Sequence, residues 1–360
     1  MPFCRTKPHN ELAPLPPSIN LETHGILKQV IESHKALAEL KHVAALLPNQ
    51  AVLLQTLALQ EAKVSSEIEN VVTTNDELYR AHVEKELNIS HETKEVLYYQ
   101  EALWYGFRAL NGEKRLLTTP LFEKLCHIIK GHHAGIRKTD GTKLVSAQGE
   151  ILYTPPEGEA LIRGKLKELE KFIYVDNGLD PLIKLALIHY QFEAIHPFYD
   201  GNGRTGRIIN ILYLVEQGLL HLPILYLSKY FLQNKQDYYI GLRNVTEHEK
   251  WQEWIHFVLK AIEHTSRSMQ QKIIEISQLI QLTTQKVKNS LPRIYSKELI
   301  DVLFSHPYCK IRFLEDAHIA KRQAGSKYLA ELEKIAVLRS EHHGREIYYI
   351  NDEFLKILLR

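Results

Sequence analysis

Long hydrophobic runs are missing from this sequence. No uninterrupted apolar stretch reaches the roughly 20 residues that a bilayer-spanning helix needs, and the opening MPFCRTKPHNELAPLPPSIN carries no apolar leader. Secretion and membrane insertion are therefore not expected. Cysteine is scarce: Cys4, Cys126 and Cys309 lie far apart, cannot all pair within one chain and form no CxxC. A reducing cytoplasm suits them, and they are expected to serve as packing residues. An excess of one charge sign is also missing, since 45 Lys and Arg face 43 Asp and Glu for a formal net charge of +2. That balance excludes a field strong enough to gather nucleic acid or anionic lipid unaided. Neither GxxxxGK[ST] nor HExxH occurs, which excludes a P-loop and that type of zinc helix. Histidine is plentiful at 19, with CHIIKGHH (126–133) the densest cluster. Its His127 and His132 are five apart and do not stack on one helical face, so no metal site is expected there.

What is present suits a large, mainly helical protein. With 360 residues and 44% hydrophobic composition the chain can bury a sizeable core, and its length favours two or three units. After a Pro-rich lead-in, apolar residues recur at three- and four-residue steps from Leu21 to Leu47 and again from Ala51 to about Val71. Further helices are predicted over SHETKEVLYYQEALWYGFRAL and TPLFEKLCHIIKGHH, the latter with Thr119 as N-cap and Pro120 at its first position. Between Gly135 and Tyr153 the grammar changes to short β-prone pieces, TKLV and EILY, which predict one hairpin. Helices resume with GEALIRGKLKELEKFI and with DPLIKLALIHYQFEAIH, where Asp180 can cap and Pro181 sits in the first turn. Three more runs follow, the last ending near Lys288: RTGRIINILYLVEQGLL, YLSKYFLQNKQDYYIGLRNV and the stretch from Trp251 onward. From about Leu291 the order is helix, short helix (LEDAHIA), helix (KRQAGSKYLAELEKIAVL), then a turn at Gly344 and a strand, which predicts a winged helix-turn-helix. The expected division is 1–90 helical, 91–288 catalytic and 289–360 winged helix.

The most informative stretch is HPFYDGNGRTGR, His196 to Arg207. Read physically, one helix ends at His196 and another begins at Arg204. A helix start gathers unpaired N–H groups and positive dipole character, which makes it a natural anion site. Gly201 and Gly203 lack Cβ atoms, so the turn can reach left-handed conformations and phosphate oxygens can approach its N–H groups. Asn202 can add an amide donor. Arg204 and Arg207, three apart, lie near each other on the helix and suit a polyphosphate. Asp200 is the hard oxygen ligand that Mg²⁺ takes together with phosphates, and His196 can be a general base near neutral pH.

These residues match the motif HxFx(D/E)GNGRxxR without a departure, and the chain resembles the Fic family over about two thirds of its length. The resemblance implies an all-helical Fic fold with one hairpin, and a protein adenylyltransferase that moves AMP from ATP to a hydroxyl of a target protein or of itself. On it, His196 takes the proton from the target hydroxyl, Asp200 holds Mg²⁺, and Asn202 with the turn and first-turn residues Gly201, Gly203, Thr205 and Gly206 cradles the phosphates. Arg207 would hold the γ-phosphate and Arg204 brace the β-phosphate. The hairpin, with Thr142, Lys143, Leu144 and Val145 on its first arm, resembles the flap that aligns an extended target segment by main-chain pairing. Tyr238 and Tyr239 resemble the aromatic pair near the adenine, although helical aromatics also serve as core.

SSEIEN resembles the family's inhibitory motif [S/T]xxxE[G/N], with Ser65, Glu69 and Asn70 in place. Ser65 and Glu69, four apart, share a helical face. By that resemblance Glu69 pairs bidentately with Arg207 and takes the place of the γ-phosphate. Two other functions compete: removal of AMP with Glu69 orienting a water, and DNA-binding regulation through the winged helix, whose Lys321, Arg322 and Lys327 open the candidate recognition helix. Residues 291–360 hold 12 basic and 10 acidic side chains, with Glu331 and Glu333 on that same helix, so strong phosphate-driven affinity is not expected. The expected partners are a hydroxyl-bearing target protein and a second copy of the chain, with DNA less favoured and no membrane.

Overall fold

The computed structural model of the chain describes residues 3–45, 50–84, 89–112, 116–132, 135–344 and 346–360. His133 of the histidine cluster and the junction between the first two helices lie outside the described residues.

The first two helices are α1 (His24–Ala45) and α2 (Gln50–Ile68). α2 stops short of Val71 because Asn70 takes a left-handed backbone (φ 62), a conformation asparagine tolerates at helix ends. Next comes α3 (Asn75–Val83), which apolar spacing alone does not announce. Its signals are at the start: Thr74 accepts from the Glu77 N–H at 3.1 Å, and Asp76 and Glu77 occupy the first turn. α4 (His91–Leu110) is capped by Ser90. In α5 (Thr119–Lys130) the cap position falls on Thr118 rather than Thr119, whose N–H and hydroxyl both go to Glu170.

The hairpin consists of β1 (Leu144–Val145) and β2 (Ile151–Tyr153), antiparallel, with Leu144 opposite Tyr153. Thr142 and Lys143 lie just before β1 rather than in it. α6 (Glu159–Tyr174) leads to α7 (Pro181–Ile195), where Asp180 accepts from the Leu182 N–H at 2.8 Å. α7 is buried on nearly every side, as a run apolar all round must be, and it packs on α8 (Asn202–Glu216) at the centre of the molecule. The expected single run from Tyr226 to Val245 is two helices, α9 (Leu227–Gln233) and α10 (Lys235–His248). They part at Asn234, whose side chain donates to the Tyr230 carbonyl at 2.9 Å and so competes with the backbone for it. α11 (Trp251–Ser290) is an unbroken 40 residues, and α1 lies along it.

After α12 (Lys297–Ser305) come β3 (Tyr308–Cys309), α13 (Ile311–Asp316), α14 (Arg322–Lys334), β4 (Arg339–His343), β5 (Glu346–Ile350) and α15 (Asp352–Leu359). The three strands form one antiparallel sheet in the order β3-β5-β4. Three details differ from expectation. A strand stands on both sides of the Gly344 turn, the short helix begins at Ile311 rather than Leu314, and α15 closes the chain. β4 carries RSEHH, almost all exposed, and so offers no apolar alternation to read. Cys126 and Cys309 are buried as expected, but Cys4 is exposed and is not a packing residue. No helix among the described residues is long and apolar enough to cross a membrane.

Candidate active site

The loop between α7 and α8 is held by its own side chains. His196 caps α7 in a left-handed conformation (φ 49), and Gly201 takes φ 83 just before α8. Asn202 bridges the loop, its amide donating to the Phe198 carbonyl and its oxygen accepting from the Phe198 N–H, both at 2.8 Å. One N–H of the amide that the sequence offers to a phosphate is thus spent on shaping the turn. Because α8 begins at Asn202 rather than Arg204, Gly203 is helical, and its missing Cβ serves another purpose. A Cβ there would collide with the Glu69 carboxylate and come 2.9 Å from Arg207 Nη1. Thr205 donates to the Gly201 carbonyl at 2.8 Å and fastens the first turn.

Arg137, which no spacing rule singles out, braces this loop from behind. Buried itself, it donates from Nε to the His196 carbonyl at 2.7 Å and from Nη2 to the carbonyls of Pro156 and Ile195. Burial, and then the Arg137 charge, push the His196 imidazole down to about 4. The ring is therefore neutral at physiological pH and able to accept a proton.

Arg207 is nearly sealed, with 2% of its side chain exposed, while Glu69 keeps 34%. The expected bidentate pair is replaced by a shared arrangement. Arg207 Nη2 meets Glu69 Oε1 at 2.9 Å and the Ser65 carbonyl at 2.9 Å, and Nε donates to the Ser65 hydroxyl at 2.8 Å. Burial works against the Arg207 charge, but the acidic groups around it, Glu69 foremost, outweigh it and hold the guanidinium protonated. Asn70 accepts from Lys235 at 3.4 Å.

Two carboxyls that the sequence does not announce complete the setting. Burial pushes Glu193, on α7, up to about 8 against the pull of Arg207, and a Cβ at Gly206 would collide with its carboxyl. Burial likewise pushes Glu61 up to about 7. Glu61 lies one turn before Ser65 on α2 and accepts from the hydroxyls of Tyr99 and Ser228.

Arg204 does not share ligands with Arg207: it is buried in an ion pair with Glu95. Lys130 Nζ joins that pair at 3.2 Å from Glu95 and reaches Asp200 at 2.6 Å. Burial works against Asp200, yet Lys130 and Arg204 hold its carboxyl below the usual carboxylate range. Asp200 is 63% exposed, in contrast to the buried arginines beside it.

Glu69, His196, Gly203 and Arg207 line one cleft of about 790 Å³, roofed by Leu144 and Val145 of the hairpin and walled by α10. Tyr238 is buried, bonds His189 at 3.0 Å and stacks on Phe231, so most of its ring is core. Tyr239 is 44% exposed and stands edge-on to Tyr238. Asp200 opens on the neighbouring hollow of about 320 Å³ with Lys130, Lys138 and Tyr199. Lys321, Arg322 and Lys327, which line neither hollow, are exposed at the start of α14.

Three family profiles match the chain: Fic/DOC family N-terminal over residues 27–108, Fic/DOC family over 80–214, and protein adenylyltransferase SoFic-like, C-terminal domain, over 279–354. A probable protein adenylyltransferase of Aquifex aeolicus is 28% identical over 200 residues, which are 54% of this chain and 57% of that protein. The protein adenylyltransferase Fic of Nematostella vectensis is 37% identical over 87 residues, 24% of this chain and 19% of that one. The chain thus matches little more than half the length of the first of these relatives and less of the second. Among solved structures, a Fic family protein of Desulfovibrio desulfuricans superposes with a TM-score of 0.61 at 16% identity, covering 93% of this chain and 98% of that one. Fic-1 of Caenorhabditis elegans gives 0.53 at 19% identity, covering 70% and 74%.

Proposed function

The chain belongs to the Fic/DOC family, whose two profiles together take in residues 27–214, and from that premise we propose that it is a protein adenylyltransferase restrained by its own α2. The target hydroxyl attacks the α-phosphorus of ATP, an O–P bond forms, and the bond to the β-phosphate oxygen breaks to release pyrophosphate. His196 takes the hydroxyl proton as the bond forms. The observation that carries this reading is a neutral, half-buried imidazole in the same cleft as the start of α8 and the sealed Arg207. The N–H groups of Gly203 and Arg204, ahead of Thr205 whose own N–H goes to the Gly201 carbonyl, gather phosphate oxygens at the helix start, and Arg207 takes the terminal phosphate.

Glu69 stands on the guanidinium that this phosphate needs, so ATP and the seated Glu69 compete. Mg²⁺ fits the donor set in part: Asp200 is exposed enough to bind it, while Glu95 is already committed to Arg204. One carboxylate is far short of six ligands, so Asp200 would hold Mg²⁺ only together with phosphates and water, where the ion would offset phosphate charge. The exposed part of Glu69 faces the same cleft as His196, which favours a second reading, removal of AMP with Glu69 orienting water.

Residues 1–90 are assigned to the restraining region, 91–288 to catalysis and 289–360 to a winged helix. With near-even charge and Glu331 and Glu333 on α14, the last unit is assigned to docking a target or a second copy of the chain rather than to DNA. A cytoplasmic location accords with the scarce, unpaired cysteines. The test is mass spectrometry of Glu69→Gly protein after incubation with ATP and Mg²⁺, alone and with lysate. One AMP mass should appear on a Ser, Thr or Tyr and vanish with His196→Ala. No adduct on any protein would overturn the assignment.

A further inference from the structure

The beginning of the chain is built into the cleft. Residues 3–13 run as a strap with two turns, closed by the Lys7 N–H on the Cys4 carbonyl and the Leu12 N–H on the His9 carbonyl, from α10 across the foot of the hairpin to α6 and α7. Arg5 pairs with Glu247 of α10 through Nε at 2.6 Å and Nη2 at 3.0 Å. The Thr154 hydroxyl, next to β2, donates to the Arg5 carbonyl at 2.6 Å, and the His9 N–H donates to the Thr154 carbonyl at 3.0 Å. Further along, Lys165 reaches the Leu12 carbonyl at 2.6 Å and Gln191 the Ala13 carbonyl at 2.9 Å. These bonds tie the strap to four separate elements of the catalytic unit. Most fall on its backbone, so its path is fixed whatever its side chains do.

Along this path Phe3 is placed against the cleft. Its ring stacks on Tyr153 at 6.0 Å and stands edge-on to His9 at 5.2 Å, and the Tyr153 hydroxyl is anchored on the Ala194 carbonyl at 2.8 Å. Phe3 and Glu247 both line the 790 Å³ cleft. Their position within it follows from helix geometry. Tyr239 lies one turn beyond Lys235, whose ammonium donates to Asn70 at 3.4 Å, which places that part of α10 beside Glu69 and the phosphate end. Glu247 is eight residues further along α10, about 12 Å away at 1.5 Å per residue. A nucleotide with its phosphates at Arg207 and its remaining length along α10 therefore ends at Thr246, Glu247 and Phe3. Glu247 is paired with Arg5 and offers that end no free charge, so Phe3 supplies an apolar face there.

We propose that the amino-terminal strap closes the base end of the nucleotide cleft, with Phe3 as a specificity-determining residue that favours a purine over a pyrimidine and the Arg5–Glu247 clasp as its positioning contact. The inference rests on the adenylyltransferase reading. A larger base covers more of the Phe3 ring, and stacking or edge contact with an aromatic is worth most where area is greatest. The clasp itself adds modest energy, because Arg5 keeps 42% of its side chain exposed, and its part is to hold the strap in register.

The experiment uses the full chain in the Glu69→Gly background, so that the phosphate end is open. KM and kcat for labelled ATP, GTP, CTP and UTP are measured for the intact strap, Phe3→Ala, Phe3→Trp and Arg5→Ala. Phe3→Ala should raise KM for ATP roughly 5- to 20-fold with kcat within twofold, and should narrow the purine-over-pyrimidine ratio. Phe3→Trp should keep both, and Arg5→Ala should shift KM in the same direction by less. In parallel, calorimetric affinities for ATP and CTP are measured on the same strap variants carrying Glu69→Gly and His196→Ala, where no turnover intervenes. An active Glu69→Gly protein whose ATP and CTP parameters ignore Phe3→Ala overturns the strap proposal and leaves the reaction standing. If no nucleotide is transferred, the reaction assignment fails, and the calorimetry alone decides whether Phe3 selects purines.

Discussion

Single residues carry opposite burdens of burial here, and each has a pH signature. Glu61 is an acid whose folded value is raised from near 4.5 to about 7, so the folded protein binds its proton more tightly than the unfolded chain does. Its contribution to stability is therefore fully present below the unfolded value and is lost as pH rises through the window up to the folded one. Unfolding free energy measured by denaturant from pH 4.5 to 8 should show wild type losing roughly 1–3 kcal/mol relative to Glu61→Gln across that window. A difference that stays flat with pH would mean that Glu61 is charged in the fold. His196 has the reverse signature in activity. As the proposed base it must be neutral, and its value near 4 leaves it neutral down to mildly acid conditions. The rate of AMP incorporation by Glu69→Gly should therefore show no histidine-like fall between pH 8 and 6, and should drop only as pH approaches 4. Lys130 gives a third test, because its ammonium occupies the Asp200 carboxylate that the metal would use. In the Glu69→Gly background Lys130→Met should lower the Mg²⁺ concentration for half-maximal incorporation roughly 3- to 10-fold, and an unchanged titration would show that Lys130 does not compete.

Among elements, α2 gathers the contacts of the proposed restraint, since Glu61, Ser65 and Glu69 recur every four residues on one face and the last two hold Arg207. Glu69→Gly should raise initial rates of AMP incorporation roughly 30- to 150-fold, as expected for release of a charge-assisted contact worth ~2–3 kcal/mol. Ser65→Ala should raise them by less, because the Ser65 carbonyl still binds Arg207. Adding Arg207→Ala to Glu69→Gly should cancel the gain. A Glu69→Gly protein no faster than wild type would remove α2 from any restraining role. How legible these elements were in the sequence depends on whether their reasons are local. The α7–α8 loop, the hairpin and the SxxxEN face could be read because glycines, caps and four-residue spacing are written within a few positions. Thr118 could not be told from Thr119, since the choice is made by Glu170 far along the chain. Likewise Arg137, Glu95, Lys130 and Phe3 carry no local signature. Their partners lie 59, 109, 70 and 150 positions away, so only the fold reveals them.

At the scale of the whole molecule, the carboxy-terminal unit is seated on α2, the element proposed to restrain the site. α15 packs on α11 and α2, the Thr56 hydroxyl of α2 donates to the Ser305 carbonyl at 2.7 Å, and the Tyr308 hydroxyl donates to Asp76 at 3.0 Å. Ending the chain after Ser290 should therefore lower the melting temperature and raise basal AMP incorporation a few-fold, even though no residue of the Fic motif is removed. Unchanged basal activity in a folded truncated protein would show that α2 is held from the catalytic side alone. The seating of α15 on α2 also binds two equilibria together. If whatever engages the carboxy-terminal unit alters how firmly α2 covers Arg207, then a nucleotide that displaces Glu69 must alter the affinity of that engagement by the same factor, because coupling free energy has one value read from either end. Each occupant of the cleft is then also a message to whatever meets the carboxy-terminal unit.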